Sequence, residues 1–312
     1  MARRKRNIES NGITHEIERE FLNFDEAFDK YLSFQLLKND RYNTLKTTRN
    51  LLENFKKFVE TEFPSLLEDI GEVKPEHIEI YVGWCENVLK NRTTTINRKI
   101  RNLKSFFSFL KKKKIIFESP VDVVPMKIVD KKPKVIVTRE LLERAIKGMN
   151  KKSFTDMRTI SVAYILFNTG LRIGELQTLQ LENVDLDKKE IILDRSKNRN
   201  FRKIPLNKEA EKYFRIWLKI RGELDHDFVF INELNEPISK RTLQNTVKRM
   251  FENIGRNDVT CHSLRKGFIT SLVDKGVPLP TIASIVGHSS LDEILTYVKT
   301  SEDELHKAVR NI

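Results

Sequence analysis

The stretch RTISVAYILFNTG, residues 158–170, is strongly apolar and ends on a glycine. Apolar residues over this length predict a buried helix, and glycine is the usual residue just past a helix end. A shorter helical pattern, RELLERAIKGM, precedes it and has Thr138 as its candidate N-cap. We therefore expect a helical domain that begins at residue 138 and runs to residue 312.

Beyond this helix the sequence predicts one small sheet. The segment EIILDRSKNRNFRKIPL, residues 190–206, has two strand-like runs around a polar, basic turn, which is typical of a β-hairpin. A further brief strand is expected in DFVFI, residues 227–231. Helical spacing then returns in the segments 208–222, 239–255, 263–276, 278–288, 290–298 and 301–309.

The first part of the chain predicts a second, wholly helical domain at residues 21–118. Apolar residues recur at helical spacing in segments 24–37, 45–59, 77–89 and 95–110, which indicates a bundle of about four helices. The threonines at 93–95 are N-cap candidates for the last helix. Its predicted core stripe consists of Leu103, Phe106, Phe107 and Leu110.

Residues 119–137 contain three prolines and four lysines and have no helical period. We expect an extended, basic linker that runs along a charged partner. Residues 1–20 begin with MARRKRN and are expected to form a flexible basic arm, which either touches phosphates or only aids solubility.

The charge of the chain favours a polyanionic partner. A net charge of +13 and a pI near 9.5 are most often associated with nucleic acid, with membrane surfaces and solubility as competing explanations. Cys85 and Cys261 are far apart without CxxC spacing, and the basic start is not followed by an apolar run. We therefore expect a cytoplasmic protein that is neither exported nor attached to a membrane.

Several residues of the second domain are suited to chemistry on phosphate, although each alone has an ordinary structural explanation. They are Arg172 after NTGL, Lys197 in the hairpin turn, His262 and Arg265 in CHSLRKGF, His288 in VGH and Tyr297 nine residues later.

The order and spacing of these residues resemble the tyrosine recombinase, or phage-type integrase, family. NTGLRIGELQTLQLENVDL is similar to the segment around the family's first arginine, LDRSKNRNFRKIPL to its lysine hairpin, CHSLRKGF to its H-x-L-R box, and IVGHSSLDEILTYV to its tyrosine segment. Lys266, Glu293 and Ile294 depart from the frequent family residues. The resemblance implies a mainly α fold, in which a helical, SAM-like core-binding domain precedes a catalytic domain with a small β-sheet.

The resemblance also implies roles for the site residues. Arg172 and Arg265 would clamp the phosphate, because arginine forks match its geometry. Tyr297 would be the nucleophile, His262 the acceptor of its proton, Lys197 the general acid for the departing 5′ oxygen, and His288 a further hydrogen-bond donor. No metal or other cofactor is expected, since the arginines supply the positive charge. Glu175 either orients these groups or forms an ordinary i,i+3 ion pair.

The implied partners are double-stranded DNA with an inverted-repeat core site and three further copies of the chain in a tetramer. The C-terminal segment 301–312 would dock onto a neighbouring subunit, with packing onto its own domain as the alternative. Candidate DNA contacts on predicted helices, each of which could instead lie on a solvated face, are Arg101, Lys104, Lys240, Arg241 and Lys248.

Three other interpretations remain at this stage. Segment 278–298 can be interpreted as a helix-turn-helix, which with the net charge would suit a regulator without catalytic activity. Type IB topoisomerases use chemistry similar to that of the recombinases. A zinc site built from Cys261, His262 and His288 lacks an evident fourth ligand.

Overall fold

The computed structural model of the 312-residue chain describes residues 3–10, 13–38, 42–129, 135–195, 200–287 and 292–295. The chain divides into two compact units, Met1–Lys132 and Pro133–Ile312, each with its own apolar core. Among the described residues, no helix combines the length and the apolar character needed to cross a bilayer.

The first unit begins with a hairpin where we expected a flexible arm. Strands β1 (Arg3–Ser10) and β2 (Ile13–Glu20) pair antiparallel. Their register pairs Arg3 with Glu20 at one end and Ser10 with Ile13 at the other.

Four helices follow, as the apolar periodicity predicts. They are α1 (Phe24–Leu37), α2 (Tyr42–Glu62), α3 (Pro75–Asn87) and α4 (Thr93–Lys112). Asn23 and Glu26 form a capping box at the start of α1. The predicted core stripe of α4 is confirmed, because its four members are at most 1% exposed, and Phe106 and Phe107 pack against aromatic rings of α1 and α2.

The expected threonine cap of α4 is wrong. The helix already begins at Thr93, and Arg92 is its N-cap without a side-chain hydrogen bond. The Arg92 carbonyl accepts from the amides of Thr95 and Ile96 at 2.8 and 3.1 Å, which draws the threonines into the first turn.

The first part of the expected linker packs onto the first unit. Val121 and Val124 are buried in its core. The amide of Lys127 donates to Oδ1 of Asn97 at 2.9 Å, and its ammonium forms an ion pair with Glu86. This lysine therefore already has an acidic partner within its own unit. Residues 130–134, with the other three lysines, lie outside the described residues.

The second unit is mainly helical. Its helices are α5 (Arg139–Lys147), α6 (Phe154–Thr169), α7 (Ile173–Gln177), α8 (Lys208–Arg221), α9 (Lys240–Glu252), α10 (Cys261–Asp274), α11 (Leu279–Val286) and α12 (Asp292–Leu295). Thr138 caps α5, as predicted, by accepting from the amide of Leu141. Every residue of α6 from Met157 to Thr169 is buried, so the helix that the sequence marks as most apolar lies in the middle of the core.

The sheet of the second unit has three antiparallel strands in sequential order. They are β3 (Val184–Asp185), β4 (Glu190–Arg195) and β5 (Asn200–Pro205). The predicted hairpin is therefore confirmed in β4 and β5. The strand expected in DFVFI is wrong, because these residues form only isolated bridges: the amide of Val229 bonds to Leu179, while Phe230 accepts from Ile238. Their apolar side chains reflect burial in the core and not membership of the sheet.

Candidate active site

Gly170 sets the position of the first candidate arginine. It ends α6 with φ +63°, and its amide donates to the Leu166 carbonyl at 3.0 Å. A Cβ here would lie 2.4 Å from a ring carbon of Phe268, so glycine is required both by the conformation and by the close approach of α10. Arg172 follows two residues later as the N-cap of α7.

Both Nη atoms of Arg172 donate hydrogen bonds within the protein, although its side chain remains 45% exposed. Nη1 donates to Oε1 of Glu175 at 3.1 Å, and Nη2 donates to the Gly287 carbonyl at 2.9 Å. Its amide also donates to Oε2 of Glu175 at 2.7 Å. The fork is therefore fixed in orientation and still accessible from solvent.

Arg265 reaches the same place from α10 and is buried, with 2% exposure. Its Nη2 donates to the Val286 carbonyl at 2.7 Å, and its Nη1 donates to the Gly170 carbonyl. Val286 and Gly287 form the C-terminal end of α11, where helix carbonyls lack partners within the helix. Two arginines far apart in sequence are therefore brought together at adjacent carbonyls.

A third arginine in this cluster, Arg202, was missed by the sequence analysis. Its Nη1 donates to the Val286 carbonyl at 2.9 Å and to Oε1 of Glu175 at 3.2 Å, and its Nη2 donates to Oε2 of Glu175 at 2.9 Å. The signal was available in the hairpin: Arg202 and Ile204 on β5 and Leu206 directly after it stand at alternate positions and are all buried. An arginine in that inward series requires an internal acceptor.

Glu175 lies between two of these arginines, so it is more than a surface i,i+3 partner. Burial by itself would raise the pKa of its carboxyl group. The charge and hydrogen bonds of Arg202, together with the amide and charge of Arg172, outweigh burial and hold the pKa below its ordinary value. The carboxylate therefore stays ionised and serves as a shared anchor for both guanidinium groups.

The H-x-L-R segment forms the first turn of α10. His262 is exposed, whereas Cys261 is 5% exposed, which confirms the prediction that the cysteine is a small buried neighbour. Burial raises the pKa of the Cys261 thiol to about 12. Lys266, which departs from the frequent family residue, is also buried.

The remaining three predicted site residues, Lys197, His288 and Tyr297, lie outside the described residues. The described residues stop at Arg195, shortly before Lys197, and again at Gly287, directly before His288. The carbonyls that accept from Arg172 and Arg265 belong to the two residues preceding His288.

The candidate DNA contacts are all exposed. Arg101 and Lys104 lie on α4, away from its buried stripe. The other three candidates, Lys240, Arg241 and Lys248, lie on α9. Among the latter, a Cβ built on Gly174 would be 3.8 Å from Nζ of Lys240, which sets this ammonium beside the first turn of α7. Lys248 forms an i,i+4 ion pair with Glu252 at 3.1 Å.

Two family models match the chain. The model described as "Phage integrase family" matches residues 136–304, and the one described as "Phage integrase, N-terminal SAM-like domain" matches residues 26–114. Their order and bounds agree with the two units of the structure.

Curated relatives match over nearly their whole length. The tyrosine recombinase XerC of Thermodesulfovibrio yellowstonii is 30% identical, over 85% of this chain and 88% of its own. The protein of the same name from Bacillus subtilis is 26% identical, over 91% of this chain and 93% of its own.

Solved structures share the fold. The Tn1549 transposon integrase in complex with a circular intermediate DNA superposes with a TM-score of 0.76 at 21% identity, covering 93% of this chain and 99% of that one. A lambda integrase dimer bound to a COC′ core site superposes with a TM-score of 0.70 at 13% identity, covering 91% of this chain and 81% of that one. The resemblance expected from the motifs is confirmed, and the chain belongs to the phage integrase family of tyrosine recombinases.

Proposed function

We propose that this chain cuts and rejoins DNA strands at a specific site through a covalent 3′-phosphotyrosine intermediate. The observation that carries the proposal is the convergence of Arg172 and Arg265 at the end of α11. Both guanidinium groups are oriented by main-chain carbonyls before any substrate arrives. Such preorganised donors stabilise a developing phosphorane charge without reorganisation during the reaction.

The reaction exchanges one phosphodiester for another. The phenol oxygen of Tyr297 attacks the scissile phosphorus and loses its proton to His262, while the bond to the 5′ oxygen breaks and Lys197 protonates that oxygen. His288 donates a further hydrogen bond to a phosphate oxygen. Because the phosphotyrosine is itself a phosphodiester, a 5′ hydroxyl of another strand reverses the step without an external energy source.

Glu175 is the supporting residue in this scheme. Its ionised carboxylate orients Arg172 through the side chain and the amide. His262 is exposed at the start of α10, the helix that also carries Arg265. The proton acceptor and one of the two phosphate-binding arginines therefore lie on the same helix.

We propose double-stranded DNA with an inverted-repeat core site as the substrate, bound by four copies of the chain. The Tn1549 integrase and the lambda integrase were solved with DNA, the latter as a dimer on its core site, which supports DNA as the partner here. A net charge of +13 favours the same partner. Exposed side chains suited to phosphate contacts are Arg101, Lys104, Lys240, Arg241 and Lys248.

A regulator with a helix-turn-helix and no catalytic activity explains fewer of the observations. It gives no reason for Arg172, Arg202 and Arg265 to converge at the end of α11. A type IB topoisomerase would share the covalent step, but the relatives at 26–30% identity are named recombinases. Strand exchange between two sites separates these activities, because relaxation of supercoils needs only one.

The deciding experiment traps the covalent intermediate. The protein is mixed with nicked DNA that contains its site, boiled in detergent, and examined for a DNA-linked band on a denaturing gel. We expect the band with the natural chain, none with Tyr297→Phe, and an unchanged band with Tyr42→Phe, which alters a tyrosine that is 77% exposed on α2. A band of normal intensity with Tyr297→Phe would overturn the proposed nucleophile. Site-specific DNA binding by the natural chain without any band would favour the regulator.

A further inference from the structure

Arg202 is anchored by two acceptors on different elements. Its two Nη atoms donate to the two carboxylate oxygens of Glu175 on α7, at 2.9 and 3.2 Å, which is the bidentate geometry that lysine cannot reproduce. Nη1 also donates to the Val286 carbonyl at the end of α11 at 2.9 Å. Arg202 therefore joins β5, α7 and α11.

Both acceptors are shared with the proposed phosphate clamp. Glu175 also accepts from Arg172, at 3.1 Å from Nη1, and the Val286 carbonyl also accepts from Arg265, at 2.7 Å. Each clamp arginine is thus oriented by an acceptor whose own position is fixed by Arg202. A change in Arg202 therefore reaches Arg172 through Glu175, and Arg265 through the Val286 carbonyl.

The bidentate ion pair with Glu175 restricts what Arg202 can do itself. Its side chain is 5% exposed, compared with 45% for Arg172. Both Nη atoms of Arg202 donate to the carboxylate of Glu175, so this guanidinium is in place to hold other groups, whereas Arg172 is accessible to a DNA phosphate.

We propose that Arg202 is a positioning residue of the recombination reaction, which aligns the guanidinium groups of Arg172 and Arg265 on the scissile phosphate through Glu175 and the Val286 carbonyl. This inference rests on the proposed phosphate-clamp function of the two arginines. Small errors in the position of such groups slow a chemical step much more than they weaken binding.

The variants Arg202→Met and Arg202→Lys test this role. Methionine fills similar space without donors, and Glu175 keeps Arg172 as its ion partner, so no isolated carboxylate is left behind. Lysine retains the charge but not the fork. Arg158→Met is the matched control: Arg158 is 1% exposed and likewise bonds a main-chain carbonyl, that of Ile231 at 2.9 Å, and a carboxylate, that of Glu233 at 3.2 Å.

The measurement compares two nicked DNA substrates, one with the natural scissile phosphate and one with an uncharged methylphosphonate at that position. Covalent adduct formation is followed in single turnover with saturating protein, and folding is checked by circular dichroism. Removing the phosphate charge removes the need for the clamp, so a defect that acts through the clamp becomes smaller on the methylphosphonate.

We expect both Arg202 variants to slow adduct formation by about 10- to 100-fold on the natural phosphate while DNA affinity changes by less than about threefold. On the methylphosphonate the defect should shrink by about tenfold, because the charge that the arginines neutralise is absent. The rate of adduct formation by Arg158→Met, relative to that of the natural chain, should be the same on both substrates.

Two results would overturn the inference: equal defects of the Arg202 variants on both substrates, or a pattern indistinguishable from that of Arg158→Met. Arg172→Met separates this failure from failure of the clamp itself. If its defect also fails to shrink on the methylphosphonate, the proposed clamp is wrong and the inference falls with it. If its defect shrinks but that of the Arg202 variants does not, the clamp stands and Arg202 is only structural.

Discussion

At the scale of single residues, Glu175 links the chemistry of the site to the stability of the domain. Its side chain is 25% exposed and forms ion pairs with Arg172 at 3.1 Å and Arg202 at 2.9 Å. These partners favour the ionised carboxyl group in the folded state and so hold its pKa below the ordinary value of 4.5. A group whose pKa is lowered by folding stabilises the fold wherever it is ionised.

The variant Glu175→Gln is predicted to lower the free energy of unfolding by about 1–3 kcal/mol at neutral pH, because hydrogen bonds to a charged acceptor are lost. The stabilisation is present above the unfolded pKa near 4.5 and disappears as the pH falls through the lower folded value. Urea unfolding at several pH values should therefore show the two proteins converging on acidification.

Glu182→Gln is the control for this prediction, since Glu182 is an exposed carboxylate that lines the same cavity as Glu175. Its stability should stay near that of the natural chain at every pH. A difference between the natural chain and Glu175→Gln that persists unchanged into acid would contradict the role assigned to the ionised carboxylate.

At the scale of elements, α10 depends on a close backbone approach. A Cβ at Gly267 would lie 2.1 Å from the Val137 carbonyl and 2.8 Å from a ring carbon of Phe167 on α6. In the same region the amide of Val137 donates to the Ser263 carbonyl at 3.3 Å. Glycine therefore allows the helix that carries His262 and Arg265 to pack directly on the segment entering α5.

Gly267→Ala is predicted to destabilise the second unit by about 1–3 kcal/mol, because the clash involves backbone atoms that cannot move aside cheaply. Gly83→Ala, inside α3, should instead stabilise the first unit by about 0.5–1 kcal/mol. No atom lies within 4 Å of a Cβ at Gly83, so only the helix preference of alanine acts there. Thermal unfolding measures both changes in stability. If Gly267→Ala and Gly83→Ala changed stability in the same direction, this account of α10 would be refuted.

At the scale of the whole molecule, each unit has its own apolar core, while the positive charge is spread along the chain. The first core is rich in aromatic rings and the second surrounds α6. A third, small cluster of α10, α11 and α12 includes Val286 and Ile294, so the end of α11 that receives the arginines is itself packed. Residues 296–312, with Tyr297 and the expected docking segment, lie outside the described residues.

Deleting residues 302–312 is predicted to leave DNA binding unchanged and to reduce recombination by about 5- to 100-fold, which is within the typical range of energetic coupling between two sites. The physical reason is loss of an apolar face, Leu305 and Val309, that would pack on a neighbouring copy. Gel shifts measure the binding, and strand exchange between two DNA sites measures the reaction.

The double variant Leu305→Ala, Val309→Ala should reproduce the deletion, and Lys307→Ala, which leaves the apolar face intact, should not. Normal recombination by the shortened chain would exclude docking between subunits. Weakened DNA binding by the shortened chain would favour packing of the segment onto its own domain.

Sequence alone determined most of the helices, the hairpin of the second unit and the order of the candidate groups. Helical periodicity gives α1 to α4 and α6, a capping threonine starts α5, and the polar turn between two strand-like runs gives the hairpin of β4 and β5. These features depend on neighbours within a few residues, which the sequence shows directly. The family followed from the resemblance of four short segments, in their order along the chain, to known family motifs.

Only the tertiary structure decided which acceptors the arginines use. The Val286 and Gly287 carbonyls, the place of Arg202 beside Glu175, and the attachment of Lys127 to its own unit all join residues far apart in the chain. The failure of DFVFI as a strand has the same origin, since its backbone partners lie elsewhere in the second unit. A local pattern records that a side chain is apolar or charged, but the partner that satisfies it is fixed by packing among distant segments.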